Sequence, residues 1–97
     1  MLNKTYPELY LAPMAGLTDL PFRELCRQYG HVTGTFVPMI GAAALLHKSS
    51  RPHTLALLDW KDDEQDRQVQ IFGSSAAELY QASRLLIELG ASGLNLN

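Results

Sequence analysis

Strand-like and helix-like patterns alternate along these 97 residues, and that alternation predicts a parallel α/β fold. Two further observations narrow the choice between an open sheet and a closed barrel. No Gly-x-Gly-x-x-Gly or Gly-x-x-x-x-Gly-Lys phosphate loop follows the first apolar run, which speaks against a nucleotide-binding open sheet. A complete TIM (β/α)8 barrel has about eight strands in roughly 250 residues, so four strand patterns correspond to its N-terminal half. The expected organisation is one unit, residues 1–97, forming the N-terminal portion of such a barrel, with the remainder absent. Two strand edges would then lie unpaired, an association hazard. The expectation is a fragment of a longer enzyme, open to self-association when isolated.

The elements follow in order. Glu8-Leu9-Tyr10-Leu11-Ala12 is a short apolar run ended by Pro13 and reads as a buried strand. Pro13-Met14-Ala15-Gly16 makes a turn, Thr18 or Asp19 offers an N-cap, and Pro21 suits a first helical turn. The helix carries Phe22, Leu25, Cys26 and Tyr29 at helical spacing, and Gly30 stops it. Thr35-Phe36-Val37 predicts the second strand. Ile40 to His47 predicts a helix broken by Ser49, Ser50 and Pro52, with a short helix or turn over Leu55–Trp60. Lys61-Asp62-Asp63-Glu64-Gln65-Asp66 reads as a solvated acidic loop. Gln68-Val69-Gln70-Ile71-Phe72 is the third strand, closed by Gly73. Ser75 and Glu78 have capping-box spacing for a helix to about Leu89, with Leu79, Ala82, Leu86 and Leu89 inward and Gly90 as its stop. Gly93-Leu94-Asn95-Leu96-Asn97 begins the fourth strand.

Composition bounds the function. A 46% hydrophobic and 19% charged chain is ordinary for a globular domain. Its net charge of −2 makes the whole chain a poor electrostatic match for a polyanion, so any RNA-binding surface is local or lies elsewhere. One cysteine excludes an internal disulfide. No run approaches the ~18 apolar residues of a membrane span. The N-terminal residues lack the apolar core of a secretory signal, so no membrane association and a cytoplasmic location are expected.

Candidate site residues lie at the C-terminal ends of the strands, where barrel enzymes place their chemistry. In Pro13-Met14-Ala15-Gly16, small residues would let a flat ligand approach the backbone, although the segment also reads as a plain turn. Gln70 stands between Val69 and Ile71 and shares a strand face with Gln68 and Phe72. It reads equally as a ligand-facing amide or as a core glutamine bonded to backbone. Asn95 and Asn97 share a face in the last strand; a single such asparagine would read as a strand-ending residue, but two inward amides suit a heterocycle with donors and acceptors. Cys26, mid-helix among apolar residues and remote from any histidine, reads as a buried structural cysteine. His31, His47 and His53 have no metal-ligand spacing, and no metal site is expected. Arg23, Arg27, Lys48 and Arg51 read as solvated charges, with Lys48–Arg51 a phosphate-facing alternative.

Taken together, these segments resemble the tRNA dihydrouridine synthases. Leu11-Ala12-Pro13-Met14-Ala15-Gly16-Leu17-Thr18-Asp19, then Pro21-Phe22-Arg23 and Leu25-Cys26, looks like the opening of that family. Gln68-Val69-Gln70-Ile71-Phe72-Gly73-Ser74 looks like its third strand, and Glu88 to Asn97 like its fourth, which in the family runs on as Asn-x-Gly-Cys-Pro. The likeness extends from Leu9 to the last residue. It implies an FMN-binding TIM barrel followed by a helical tRNA-binding domain. The implied reaction reduces uridine to 5,6-dihydrouridine in tRNA: NADPH reduces the flavin, hydride passes to C6 of uracil, and a cysteine protonates C5. By the resemblance, Pro13, Met14 and Ala15 match the segment against the isoalloxazine, Gln70 an FMN-bonding glutamine, and Asn97 the asparagine at the flavin and uracil. The catalytic cysteine would follow Asn97, so no catalytic residue is expected in this chain and the fragment alone should be inactive. Two departures stand out: Val37-Pro38-Met39 replaces the common Thr-Glu-Met, and Asn95 stands where an Asp is frequent. The alternatives are another FMN barrel oxidoreductase, such as a dihydroorotate dehydrogenase relative, and a non-catalytic half barrel that self-associates.

Overall fold

A computed structural model of the chain describes residues 7–61, 64 and 66–97. Strands and helices alternate as β1 (Tyr10–Leu11), α1 (Leu20–Gly30), β2 (Gly34–Gly41), α2 (Ala42–Leu46), α3 (Arg51–Ala56), β3 (Gln68–Phe72), α4 (Ala76–Glu88) and β4 (Gly93–Leu96). All pairings are parallel and the strands lie in chain order, β1-β2-β3-β4. Sequential parallel strands joined through helices are the repeating unit of a (β/α) barrel, so the architecture is a partial TIM barrel. No helix among the described residues is long and apolar enough to cross a membrane.

Strand alternation separates two faces. Val37, Ile40, Val69 and Ile71 are buried on one side, packed with Ala42, Leu45, Ala82, Leu86 and Ala91. This is the helix-covered outer layer, and apolar burial of that size is the main force holding the elements together. On the other face lie Phe36, Gln68, Gln70 and Phe72, none of them fully buried. Register aligns Val37 with Val69 and Ile40 with Ile71, leaving Pro38 and Met39 opposite Gln70 alone. Two residues against one make a β-bulge, which Pro38 favours because it has no N–H for the ladder.

Helix termini follow local chemistry. Asp19 caps α1, accepting from the Phe22 amide at 3.1 Å, and Pro21 occupies its first turn. Ser75 caps α4 by accepting from the Glu78 amide at 3.2 Å. Gly90, at φ 114°, supplies the left-handed turn that ends α4.

Several expectations need correction. The first strand is two residues long, and Tyr10 is 49% exposed rather than buried. Ile40 belongs to β2, which continues through the bulge to Gly41, so α2 starts later than expected. Pro52 does not end helical structure; it sits in the first turn of α3, where a missing N–H costs nothing. At the end of α1 the left-handed residue is His31, at φ 52°, one beyond Gly30. Leu89 is 42% exposed. The apolar stripe of α1 is not its buried face: Leu25 and Tyr29 are 51% and 74% exposed, and Cys26 is only half-buried.

Arg23 takes the buried position in α1 instead of being solvated. Its Nη1 donates to Thr18 O at 2.9 Å and to Asp59 Oδ1 at 3.1 Å, and its Nη2 donates to Asp59 O at 3.3 Å. Glu64, in the stretch read as a solvated acidic loop, has only 6% of its side chain exposed and ion-pairs with Arg23 and Arg27. Lys61 pairs with Glu24. Glu64 thus answers two cations of α1, which explains the burial of its side chain. Asp62, Asp63 and Gln65 of that stretch, and residues 1–6 at the N-terminus, lie outside the described residues. Arg51 is not a free cation either: Nε and Nη2 donate to Leu45 O and Leu46 O, each at 2.8 Å, completing the C-terminus of α2.

Candidate active site at the C-terminal ends of the strands

The inner sheet face carries a row of amides in an otherwise apolar setting. Parallel register sets Gln70 beside Asn95, and the Gln70 Nε2 donates to Asn95 Oδ1 at 3.3 Å. The carboxamide orientations are set by that bond. It leaves the Gln70 oxygen and the Asn95 nitrogen without a partner among the described residues, and neither is a buried orphan. Both are therefore available to a ligand. Asn97 continues the ladder through its amide to Ile71 O at 3.0 Å, and its Nδ2 contacts Met39 Sδ at 3.4 Å. Tyr10 and Phe36 lie against each other with ring centroids 6.3 Å apart. The Glu8 charge, then desolvation and Asp66, raise the Tyr10 pKa above its ordinary 10.0, so it is a neutral phenol at physiological pH.

Two clefts open at this end of the sheet. One, of about 500 Å³, is lined by Met39, Phe72, Ser74, Glu78 and Asn97 among others. The second, of about 360 Å³, is lined by residues including Ala15, Gly16, Pro38, Met39, Leu57 and Asp59. Met39 belongs to both. It holds a left-handed φ of 58° at the bulge, a conformation costly for a side-chain-bearing residue and enriched at functional sites. Pro38 within a strand pattern was the signal for that bulge; nothing in the sequence marked Met39 as the shared wall.

The turn after β1 is internally bonded. Leu17 N and Thr18 N both donate to Met14 O at 3.0 Å, and Met14 N donates to Thr18 Oγ1 at 3.0 Å. The Thr18 hydroxyl in turn donates to Met14 O at 3.1 Å. Gly16, at φ 77°, makes this tight loop accessible to the backbone. The Met14 amide and carbonyl are thus occupied, which leaves its 38%-exposed side chain as the part open to a ligand.

The structure brings some expected residues together and leaves others apart. Gln70 meets Asn95, Asn97 meets Met39, and Ala15 faces Met39 across the smaller cleft. Pro13, Met14 and Gln70 line neither cleft, and no hydrogen bond among the described residues joins Gln70 to the Pro13–Ala15 segment. Cys26 lines neither cleft, since α1 lies on the outer layer.

The family described as dihydrouridine synthase (Dus) matches residues 10–97. A tRNA-dihydrouridine synthase B of Pseudomonas syringae is 42% identical over 89 residues, covering 92% of this chain and 26% of that protein. The Pseudomonas aeruginosa protein of the same name gives the same identity and coverage. A probable tRNA-dihydrouridine synthase of Mycobacterium tuberculosis is 35% identical over 94 residues, covering 90% of this chain and 24% of that protein. The chain therefore spans about a quarter of the length of these curated relatives. No solved structure is a significant match.

Proposed function

We propose, because this chain belongs to the dihydrouridine synthase family, that it forms part of the barrel of an enzyme reducing uridine to 5,6-dihydrouridine in tRNA, with FMN as cofactor and NADPH as reductant. The observation that carries the reading is the amide row Gln70, Asn95 and Asn97 at the mouth of a parallel sheet, in a chain whose family match covers all of it from Tyr10. Unpartnered amide oxygen and nitrogen atoms on a face that also carries Phe36 and Phe72 suit a flat heterocycle whose edge presents both donors and acceptors. An isoalloxazine is such a ring, so the residues present fit FMN.

In this reading Gln70 accepts from or donates to the ring edge, held by Asn95. Asn97 sits where the flavin and the target base would adjoin. Pro13, Met14 and Ala15 form the lip against the ring. Bound FMN would supply the hydride for uracil C6, and the protein's part is to bind, orient and shield it. These amides are neutral, so they hold the ring without adding charge to it. The target base must leave its stack to reach such a pocket, which the open clefts at the strand ends would admit. The C5 proton is assigned to a cysteine following Asn97 in the family pattern, not to Cys26. The parent protein is thus a barrel followed by a helical tRNA-binding domain, of which this chain supplies the first strands.

The experiment is direct. The full-length protein carrying this chain is purified, its bound flavin identified, and unmodified tRNA assayed for dihydrouridine with NADPH. Co-purified FMN and NADPH-dependent product support the proposal; a flavin-free protein without product contradicts it.

A further inference from the structure

We infer that Thr18 and the buried Arg23 are positioning residues that hold the Pro13–Gly16 lip in its ligand-ready shape, an inference that rests on the functional reading above. Thr18 is fully buried, yet its hydroxyl is spent entirely on one neighbour, donating to Met14 O and accepting from Met14 N. A single side chain thereby fixes both polar groups of the residue at the centre of the lip. The Thr18 carbonyl is gripped in turn by Arg23 Nη1. Arg23 is anchored at its other side by Asp59, whose second oxygen accepts from the Leu20 amide at 2.9 Å.

The result is one continuous set of bonds, Asp59 to Arg23 to Thr18 to Met14, that runs from the loop after α3 into the lip. Asp59 itself lines the smaller cleft together with Ala15 and Gly16. The Asp59 side of that cleft and its Ala15–Gly16 side are therefore tied to the same guanidinium. A planar fork with several donors can hold three oxygens in fixed directions, which a lysine ammonium on a flexible stem cannot. Neither residue lines either cleft at the strand ends; each acts through Met14 and the loop backbone. Pre-formed loops bind more tightly because the ordering cost is met before the ligand arrives.

The test uses the full-length protein, stripped of flavin and titrated with FMN by fluorescence, with melting of the flavin-free form measured in parallel. Thr18→Val keeps the shape and removes the hydroxyl; it should weaken FMN binding roughly tenfold, the scale of two ordinary hydrogen bonds. Thr18→Ser keeps the hydroxyl and should restore near-native affinity. Arg23→Lys should weaken binding in the same direction. The double variant Thr18→Val with Arg23→Lys should be weakened by less than the product of the two single effects, because both residues act on one set of bonds. If Thr18→Val lowers the melting temperature but leaves FMN affinity unchanged, the positioning role is overturned and Thr18 is merely structural. If the unaltered protein takes up no FMN, the functional reading falls and this inference with it.

Discussion

A guanidinium with 1% of its side chain exposed is tolerable only while its oxygens stay in place, because an unpaired buried charge is costly. Arg23→Met in the full-length protein should therefore destabilise by about 3 kcal/mol, the low end for breaking a buried pair because Asp59 is 36% exposed. Thermal or urea unfolding measures it, and a loss below ~1 kcal/mol would deny Arg23 that role. Gln70→Leu should weaken FMN retention several-fold, the worth of one hydrogen bond of about 0.5–1.5 kcal/mol, with flavin content after dialysis as the readout. Cys26→Ala, by contrast, should leave turnover intact, since Cys26 is half-buried in α1 and lines neither cleft. At this scale strand alternation puts Gln70 on the face away from Val69 and Ile71, while the choice between a ligand-facing and a core amide stays open on the residues alone. The burial of Arg23 is not legible, because a charged residue in an amphipathic helix reads as solvated unless its counter-charges are known. Those counter-charges lie 36 and 41 positions further on, Asp59 in a stretch that reads as a short helix or turn and Glu64 in a loop whose own charges look solvated.

Elements obey their caps and their packing face. Leu86, fully buried in α4 against β3, should cost about 2–5 kcal/mol when cut to Ala, and denaturant unfolding of the full-length protein reads that loss. His31→Gly should do the opposite and stabilise by roughly 0.5–1 kcal/mol, because His31 ends α1 at φ 52° and glycine adopts that region without strain. Melting of the variant decides it, and a lowered midpoint would show that the His31 side chain contributes more than its backbone costs. β3, α4 and β4 were readable because period-2 and period-3.6 patterns there agree with capping residues. The span from Val37 to Ala56 was less so. A proline inside β2 and another inside α3 look like breaks in sequence, yet one makes a bulge and the other starts a helix, outcomes that depend on the neighbouring strand and on the preceding turn.

For the molecule as a whole, sheet order, the outer core and the amide row form one arrangement. The helices cover one face, while the other carries polar groups that the fold itself does not consume. Such a division is economical in a barrel, where the inner face at the strand ends is the natural site of chemistry. The family match removes the dihydroorotate dehydrogenase alternative. The measurement that bears most directly on the central claim is dihydrouridine formed in unmodified tRNA by the purified full-length protein carrying this chain, with NADPH present, for the native sequence and for Gln70→Leu. The account predicts NADPH-dependent dihydrouridine from an FMN-containing native protein, and a Gln70→Leu protein whose lost turnover is recovered by adding FMN. Native protein that holds FMN and accepts electrons from NADPH yet forms no dihydrouridine in any tRNA would contradict it.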